Sequence, residues 1–337
     1  MSASGSAHLD AQAIVDPAIA PLADVLDRRA LAVQLAEFLP AAEAALEVLD
    51  VQVLRYHAGK RCVVDVTVRS GQTALCLIGK VYAKDRSHVY GLMQELRRAG
   101  FGPHERFSIP QPLAYLEPLH LLWQEKVAGR PATEWFLSHD DSEQVPAAER
   151  CARWLASFHG LALREGRRVE PASHLVTMEQ WLSRFAEAGR PLADRAEALF
   201  KRLRVAAPKL PAAELCTIHG DYSHHQVILS GDRTVTIDWD KYCFADPAQD
   251  VARFAVGLQR LALRVRHSID GLNRAAAGFL DAYFASAPAD VAARVPFHRA
   301  AICLEHAKHD VHKQAEGWSA KAAVTLDEGL RVLSEGC

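Results

Sequence analysis

Beyond residue 128 the apolar residues of this chain recur at helical spacing almost to the end, with one interruption. Leu215 to Asp238 is a β-like island, with apolar runs at Val227-Ile228-Leu229 and Val235-Thr236-Ile237. Ahead of the first run stands His219-Gly220-Asp221-Tyr222-Ser223-His224-His225-Gln226, and Asp246-Pro247-Ala248-Gln249-Asp250 follows the second. No other stretch constrains the chain as tightly. It sets short strands, a glycine turn and six carboxylates inside a helical frame.

The part before residue 128 has the opposite character. After two short helical patterns between Leu22 and Leu49, broken at Pro40, three β-prone runs follow: Val51–Tyr56, Cys62–Val68 and Ala74–Tyr82. Turns at His57–Lys60 and Ser70–Gln72 are short enough for an antiparallel meander. Val89–Ala99 reads as a helix closed by Gly100, and further strands are expected near Ala114 and at Leu119–Glu125. Helices are then expected at Pro146–Leu161, Met178–Ala188, Leu192–Val205 and from Asp250 to Leu333, the last broken near Pro288 and Pro296. The expected organisation is residues 1–50 as tail and helices, 51–128 as a small β-rich part, and 129–337 as a larger helical part.

The island meets the demands of phosphoryl transfer. That chemistry needs one carboxylate to orient and deprotonate the attacking hydroxyl, and oxygen ligands to hold a divalent cation against the triphosphate. In the kinase pattern an amide-bearing metal ligand follows the catalytic Asp by five residues. Gln226 follows Asp221 by five, and Asp238 stands where the strand after Val235 ends. An H-G-D triplet alone is only a turn; the spacing to Gln226 and Asp238 lifts this one above that. Asp246 and Asp250 read as structural, with Asp250 capping a helix and bracing the catalytic loop.

The pattern H-G-D-x-x-x-x-[NQ]-x-[LI], then [VI]-[IL]-D, then D-P-x-x-D resembles the aminoglycoside phosphotransferase and choline kinase-like superfamily. The resemblance implies an α+β, two-lobed protein-kinase-like fold, with a small antiparallel-sheet N-lobe and a larger helical C-lobe. It implies a phosphotransferase that moves the γ-phosphate of ATP to a hydroxyl of a small molecule, with Asp221 as base and Asp238 as main metal ligand. Gln226 stands where the family usually has Asn and offers the same carbonyl oxygen one methylene further out. The cofactors so implied are ATP and Mg²⁺, with Mn²⁺ as an alternative ion. The rival reading is a nucleotide-binding pseudokinase with a regulatory or scaffolding role.

Such a fold needs a Lys on the third strand and a Glu on the next helix. Lys80 lies in the apolar run Leu75–Tyr82, and Glu95 lies fifteen residues on. The bland alternative for Lys80 is an edge-strand residue reaching out to solvent. Gly59 would let backbone N–H groups approach phosphate, with Lys60 or Arg61 adding charge, though a plain hairpin turn explains these residues equally well. The resemblance makes Glu125–Val127 the hinge, whose backbone, at Glu125 and Val127, binds the adenine edge.

Charge and cysteine content narrow the partners. The formal net charge of the 337 residues is -2, which argues against nucleic acid or an anionic membrane as partner. No apolar run approaches the roughly 20 residues that span a bilayer. Seven cysteines, an odd number with no C-x-x-C, fit a reducing cytoplasm. From residue 255 onward there are nine Asp/Glu, ten Lys/Arg and five His, a balance that gives no support to a polycationic acceptor. His306, His309, His312 and Asp310 on one helix read as a solvated or substrate-facing surface before a metal site. One or both of His224 and His225 is expected to position the loop or touch substrate, and Trp135, Trp154 and Trp181 are expected in the core.

Overall fold

Along Arg61–Ser70 the apolar residues fall at every second position, and Cys62, Val64, Val66 and Val68 are all fully buried. This period of two is what a strand with one covered face requires. The computed structural model describes residues 14–39, 46–138 and 140–335. These divide into two compact units, Met1–Ala128 and Gly129–Cys337.

In the first unit, helices α1 (Leu22–Leu26) and α2 (Arg28–Ala36) precede strands β1 (Glu47–His57), β2 (Arg61–Ser70) and β3 (Thr73–Tyr82). Asp27 caps α2 by accepting the N–H groups of Arg29 and Ala30. The helical pattern expected as far as Leu49 ends earlier, because Glu47–Asp50 already belongs to β1; Pro40 lies outside the described residues. Helix α3 (Ser87–Arg98), the short strand β4 (Phe107–Ser108), β5 (Pro112–Leu116) and β6 (Leu121–Glu125) complete the unit. The antiparallel order is β1-β2-β3-β6-β5. Leu77 and Val81 of β3 join Val64, Val66 and Trp123 in a core on one face of the sheet. Gly79 permits this, since a Cβ there would stand 2.7 Å from the Trp123 ring.

In the second unit the helices run longer than expected from periodicity. Strand β7 (Arg130–Pro131) leads into α4 (Ala132–Leu137), α5 (Asp141–His159), α6 (Pro171–Ala188) and α7 (Arg190–Ala206). The island folds as β8 (Cys216–Ile218), β9 (Val227–Ser230) and β10 (Arg233–Thr236), and β11 (Cys243–Ala245) follows. Strands β9 and β10 form a hairpin, with β7 on the other side of β9, while β11 pairs with β8. Helices α8 (Ala248–Val265), α9 (Asn273–Phe284), α10 (Ala289–Lys313) and α11 (Trp318–Glu335) close the unit.

Pro296 does not break the last part of the chain. It lies inside α10, where it removes a single backbone donor, while Pro288 does precede the helix. Helix α8 is buried on almost every side. Trp154 stacks on Tyr222 at 5.6 Å, Tyr222 packs on Phe254 at 5.4 Å, and Phe254 stacks on Phe279 at 4.1 Å, so the residue after Asp221 is anchored in an aromatic core. The Tyr222 hydroxyl, buried with them, donates to the Cys151 carbonyl at 2.8 Å. Among the described residues no helix is long and apolar enough to cross a membrane.

Candidate active site

Asp221 sits on the loop between β8 and β9, and that loop is held from below by one carboxylate. Asp250, fully buried in the first turn of α8, accepts the N–H of His219 at 2.7 Å and that of Gly220 at 2.9 Å. It braces the loop as expected but does not cap its own helix, which starts after Pro247. Burial alone would raise the Asp250 pKa; hydrogen bonding and the nearby His159 and His219 hold it below the usual value. Asp246 makes the capping bond instead, accepting the Ala248 N–H at 2.9 Å. It also accepts from Arg294 Nε at 2.8 Å and His298 Nε2 at 3.0 Å.

His219 ties the loop to the strand that follows. Its Nε2–H donates to the Ile237 carbonyl at 2.9 Å, which leaves Nδ1 to accept the Asp221 N–H at 3.3 Å. The Ile237 N–H donates to the Gln226 carbonyl at 2.8 Å, extending the β9–β10 pairing by one step. Gln226 and Asp238 are therefore carried on the adjoining ends of two hydrogen-bonded strands. Asp238 takes φ 65° and ψ 64°, a left-handed conformation that a non-glycine residue adopts at a cost of roughly 1–2 kcal/mol. Strain of this kind collects at functional positions, where surrounding structure over-determines it.

Two cations that the motif does not contain stand at Asp221. Lys241 Nζ donates to Oδ2 at 2.9 Å, and an Arg253 guanidinium nitrogen is 4.0 Å from Oδ1. Arg253 also pairs with Glu305 of α10 at 2.8 Å. Burial would push Glu305 up, but the Arg253 charge and hydrogen bond hold it down at about 2. Lys241 is three residues past Asp238, and Arg253 is three past Asp250 on the same helix face. The second spacing is the only local signal that could have marked Arg253.

The residues read as nucleotide-binding all lie in the first unit. Lys80 is 5% exposed and pairs with Val63 on one side and Leu122 on the other, so β3 is a central strand and the edge-strand alternative falls. Its neighbours Gly79 and Val81 face the apolar core, so alternation puts Lys80 on the opposite face with Ile78 and Tyr82. Glu95 is half-buried on α3. Gly59 has φ 66°, but its N–H donates at 2.7 Å to the carboxylate of Asp16, which also accepts from the Tyr56 hydroxyl at 2.9 Å. That N–H is occupied by a carboxylate from the N-terminal segment. Lys60 is exposed in the same turn. The Glu125 N–H donates to the Gln111 carbonyl, and the Glu125 carboxylate accepts the Gln111 N–H at 3.0 Å, while Val127 follows β6 half-buried.

Other expectations sort by burial. His224 is buried, with Nδ1 2.7 Å from the Thr133 hydroxyl, and burial holds its pKa well below the usual imidazole value; it is a structural residue. Its neighbour His225 is exposed. Trp154 is in the core, Trp135 is half-buried under the Arg130 guanidinium at 4.5 Å, and Trp181 packs partly buried against the core of its unit while also lining a cavity. His306 is driven to about 3 by burial, and Asp310 pairs with Arg260 at 2.6 Å.

A braced loop carrying an Asp, and two strand ends carrying a carboxamide and a carboxylate, define the class: a kinase-like phosphotransferase. Residues 63–294 match the model of the phosphotransferase enzyme family, and the chain belongs to that family. Its fold is similar to a glucosamine kinase in complex with glucosamine, ADP and inorganic phosphate, with TM-score 0.63 and 15% identity over 91% of this chain and 86% of that one. It is similar also to a choline/ethanolamine kinase family protein from Mesorhizobium loti, with TM-score 0.56 and 16% identity over 84% and 88%. A thermostable mutant aminoglycoside phosphotransferase gives TM-score 0.57 and 13% identity over 86% and 96%. No curated protein matches the chain in sequence.

Proposed function

We propose that this enzyme transfers the γ-phosphate of ATP to a hydroxyl group of a small polar molecule. The observation that carries the reading is the arrangement around residue 221. The loop presents Asp221 27% exposed, while Gln226 and Asp238 are joined through the Gln226–Ile237 backbone bond.

Asp221 orients the acceptor hydroxyl and takes its proton as the new O–P bond forms. The bond between the γ-phosphorus and the β–γ bridging oxygen breaks, and ADP leaves. Lys241 and Arg253 balance charge at Asp221 and at the incoming phosphoryl group. Lys80, braced by Glu95, holds the α/β-phosphates. The Gly59–Lys60 turn covers them once the Gly59 N–H is released from Asp16, and the backbone at Glu125 and Val127 receives the adenine edge.

Gln226 and Asp238 would supply one neutral and one anionic oxygen, a hard donor set that suits Mg²⁺ or Mn²⁺. When bound, the ion neutralises charge on the β- and γ-phosphate oxygens. The test is ADP formation by the purified chain with ATP, Mg²⁺ and a panel of small alcohols, with product mass as confirmation. Asp221→Asn is expected to lower kcat by several orders of magnitude and to leave nucleotide affinity nearly intact. Substantial turnover by this mutant at saturating ATP would remove Asp221 from the role of base. No turnover of any alcohol by the wild type would favour a nucleotide-binding role without transfer.

A further inference from the structure

A cavity of about 430 Å³ opens between α6 and α10, lined by Gln180, Trp181, Arg184, Lys308, His309 and His312. Two of the lining residues are cationic side chains, two are imidazoles, and none is a carboxylate. Lys308 holds its ammonium 4.4 Å from the centre of the Trp181 ring, an arrangement that fixes the charge in place before any ligand arrives. Burial and the nearby Arg184 both press Lys308 toward losing its proton, and Glu305 opposes them. Burial first, and then Lys308, Lys313 and Lys241, act against protonation of His309, again opposed by Glu305. Glu305, the acid that opposes these shifts, is already paired with Arg253. Like charges gathered with no counter-charge on the lining are relieved by an anion.

The cavity is tied to the candidate active site through short links in the same unit. Arg253 is 4.0 Å from Asp221 and 2.8 Å from Glu305. Lys308 and His309 follow Glu305 by three and four residues, about one helical turn along α10. Lys241, 2.9 Å from Asp221, also acts on His309 of the cavity, so the two places share a charged neighbour.

Resting on the phosphotransferase reading, we infer that this cavity seats the acidic group of the acceptor, so that the substrate is a hydroxyl compound bearing a carboxylate or phosphate and not an amine. Lys308 and Arg184 receive the anion, the imidazoles and the Gln180 amide complete its hydrogen bonds, and the hydroxyl points toward Asp221. An amine in the same place would meet Arg184 and Lys308 with no carboxylate to offset them.

The experiment offers three charge classes of hydroxyl compound: gluconate, glycerate and glycerol 3-phosphate; glucose and glycerol; glucosamine and ethanolamine. Each is measured by calorimetric titration without nucleotide and by acceptor-dependent ADP formation. The acidic class is expected to bind at least tenfold more tightly than the others, with gluconate and glycerate against glycerol 3-phosphate separating carboxylate from phosphate. Lys308→Ala and, at an exposed helix position, Arg184→Ala are expected to weaken that binding at least fivefold, with Lys308→Arg retaining it. Preference for the amines, or an equal response from the three classes, overturns the inference. So does acidic binding that neither alanine variant weakens. Acidic binding that depends on Lys308 with no ADP formed from any compound keeps the inference about the cavity and removes the transfer reading. ADP formation without acidic preference removes this inference alone.

Discussion

The carbonyl oxygen of Lys241 lies 2.2 Å from the point where a Cβ on Gly220 would stand. The glycine ahead of Asp221 is therefore packed against the backbone that carries Lys241, and it has φ 77° besides. Backbone cannot yield as a flexible side chain can. Gly220→Ala is expected to destabilise the fold by about 3 kcal/mol and to abolish turnover. Gly231→Ala is the matched control: its φ is 53°, but nothing lies within 4 Å of the added methyl. It should cost only about 1 kcal/mol. Denaturant unfolding of the two variants checks the difference, and equal losses would mean that the left-handed conformation alone sets the cost.

Lys80 is a buried cation on a central strand, on the face away from the apolar core. Lys80→Met keeps the length of the side chain and removes the charge. ATP affinity should fall roughly 10- to 150-fold, the equivalent of losing a charge-assisted contact of about 1.5–3 kcal/mol. Calorimetric titration with ATP and Mg²⁺ reads it. Unchanged affinity would show that the ammonium serves another partner.

Gln226 carries its carboxamide one methylene further from the backbone than Asn would. Mg²⁺ demands near-ideal octahedral geometry at about 2.0–2.1 Å, while Mn²⁺ generally binds oxygen and nitrogen sites more tightly. The enzyme is expected to prefer Mn²⁺ over Mg²⁺ more strongly than Gln226→Asn does. Gln226→Ala should raise the metal concentration for half-maximal activity further than Gln226→Asn. Metal titrations of activity for the three proteins decide it, and coincident curves would remove Gln226 from the ion.

Glu305 has its pKa lowered from 4.5 to about 2 by Arg253, against the opposing effect of burial. A depressed carboxyl pKa stabilises the fold fully above the unfolded value, and that contribution is lost as pH falls through the folded one. Between pH 5 and pH 2 the pair should therefore lose about 2–3 kcal/mol of stability. Glu305→Gln should be less stable than the wild type at pH 7 and should show a shallower loss over that range, the remainder coming from groups such as Asp246, which is also held at about 2. Denaturant unfolding at several pH values measures both slopes. Parallel slopes would assign the acid sensitivity elsewhere.

The sequence by itself determined the main strands and helices and the spacing of the candidate site residues. A strand reveals its covered face every second residue, as Cys62, Val64, Val66 and Val68 do, and a helix every third or fourth. The spacing of Asp221, Gln226 and Asp238 is covalent, so one hairpin suffices to bring the last two together. Pro296 misled because a proline in an otherwise packed helix costs one hydrogen bond, and the burial of α10 outweighs it. Only the tertiary structure decided what surrounds the motif. Arg253 meets Glu305 across 52 residues, and in the first unit Asp16 reaches forward 43 to Gly59. Hydrogen bonds and ion pairs at such separations leave no period in the sequence, because they depend on which helix faces come to lie together. The cavity at Lys308 belongs to the same group, since three of its residues, Trp181, His309 and His312, were read as core or as a surface cluster until the packing of α6 against α10 gathered them around one space.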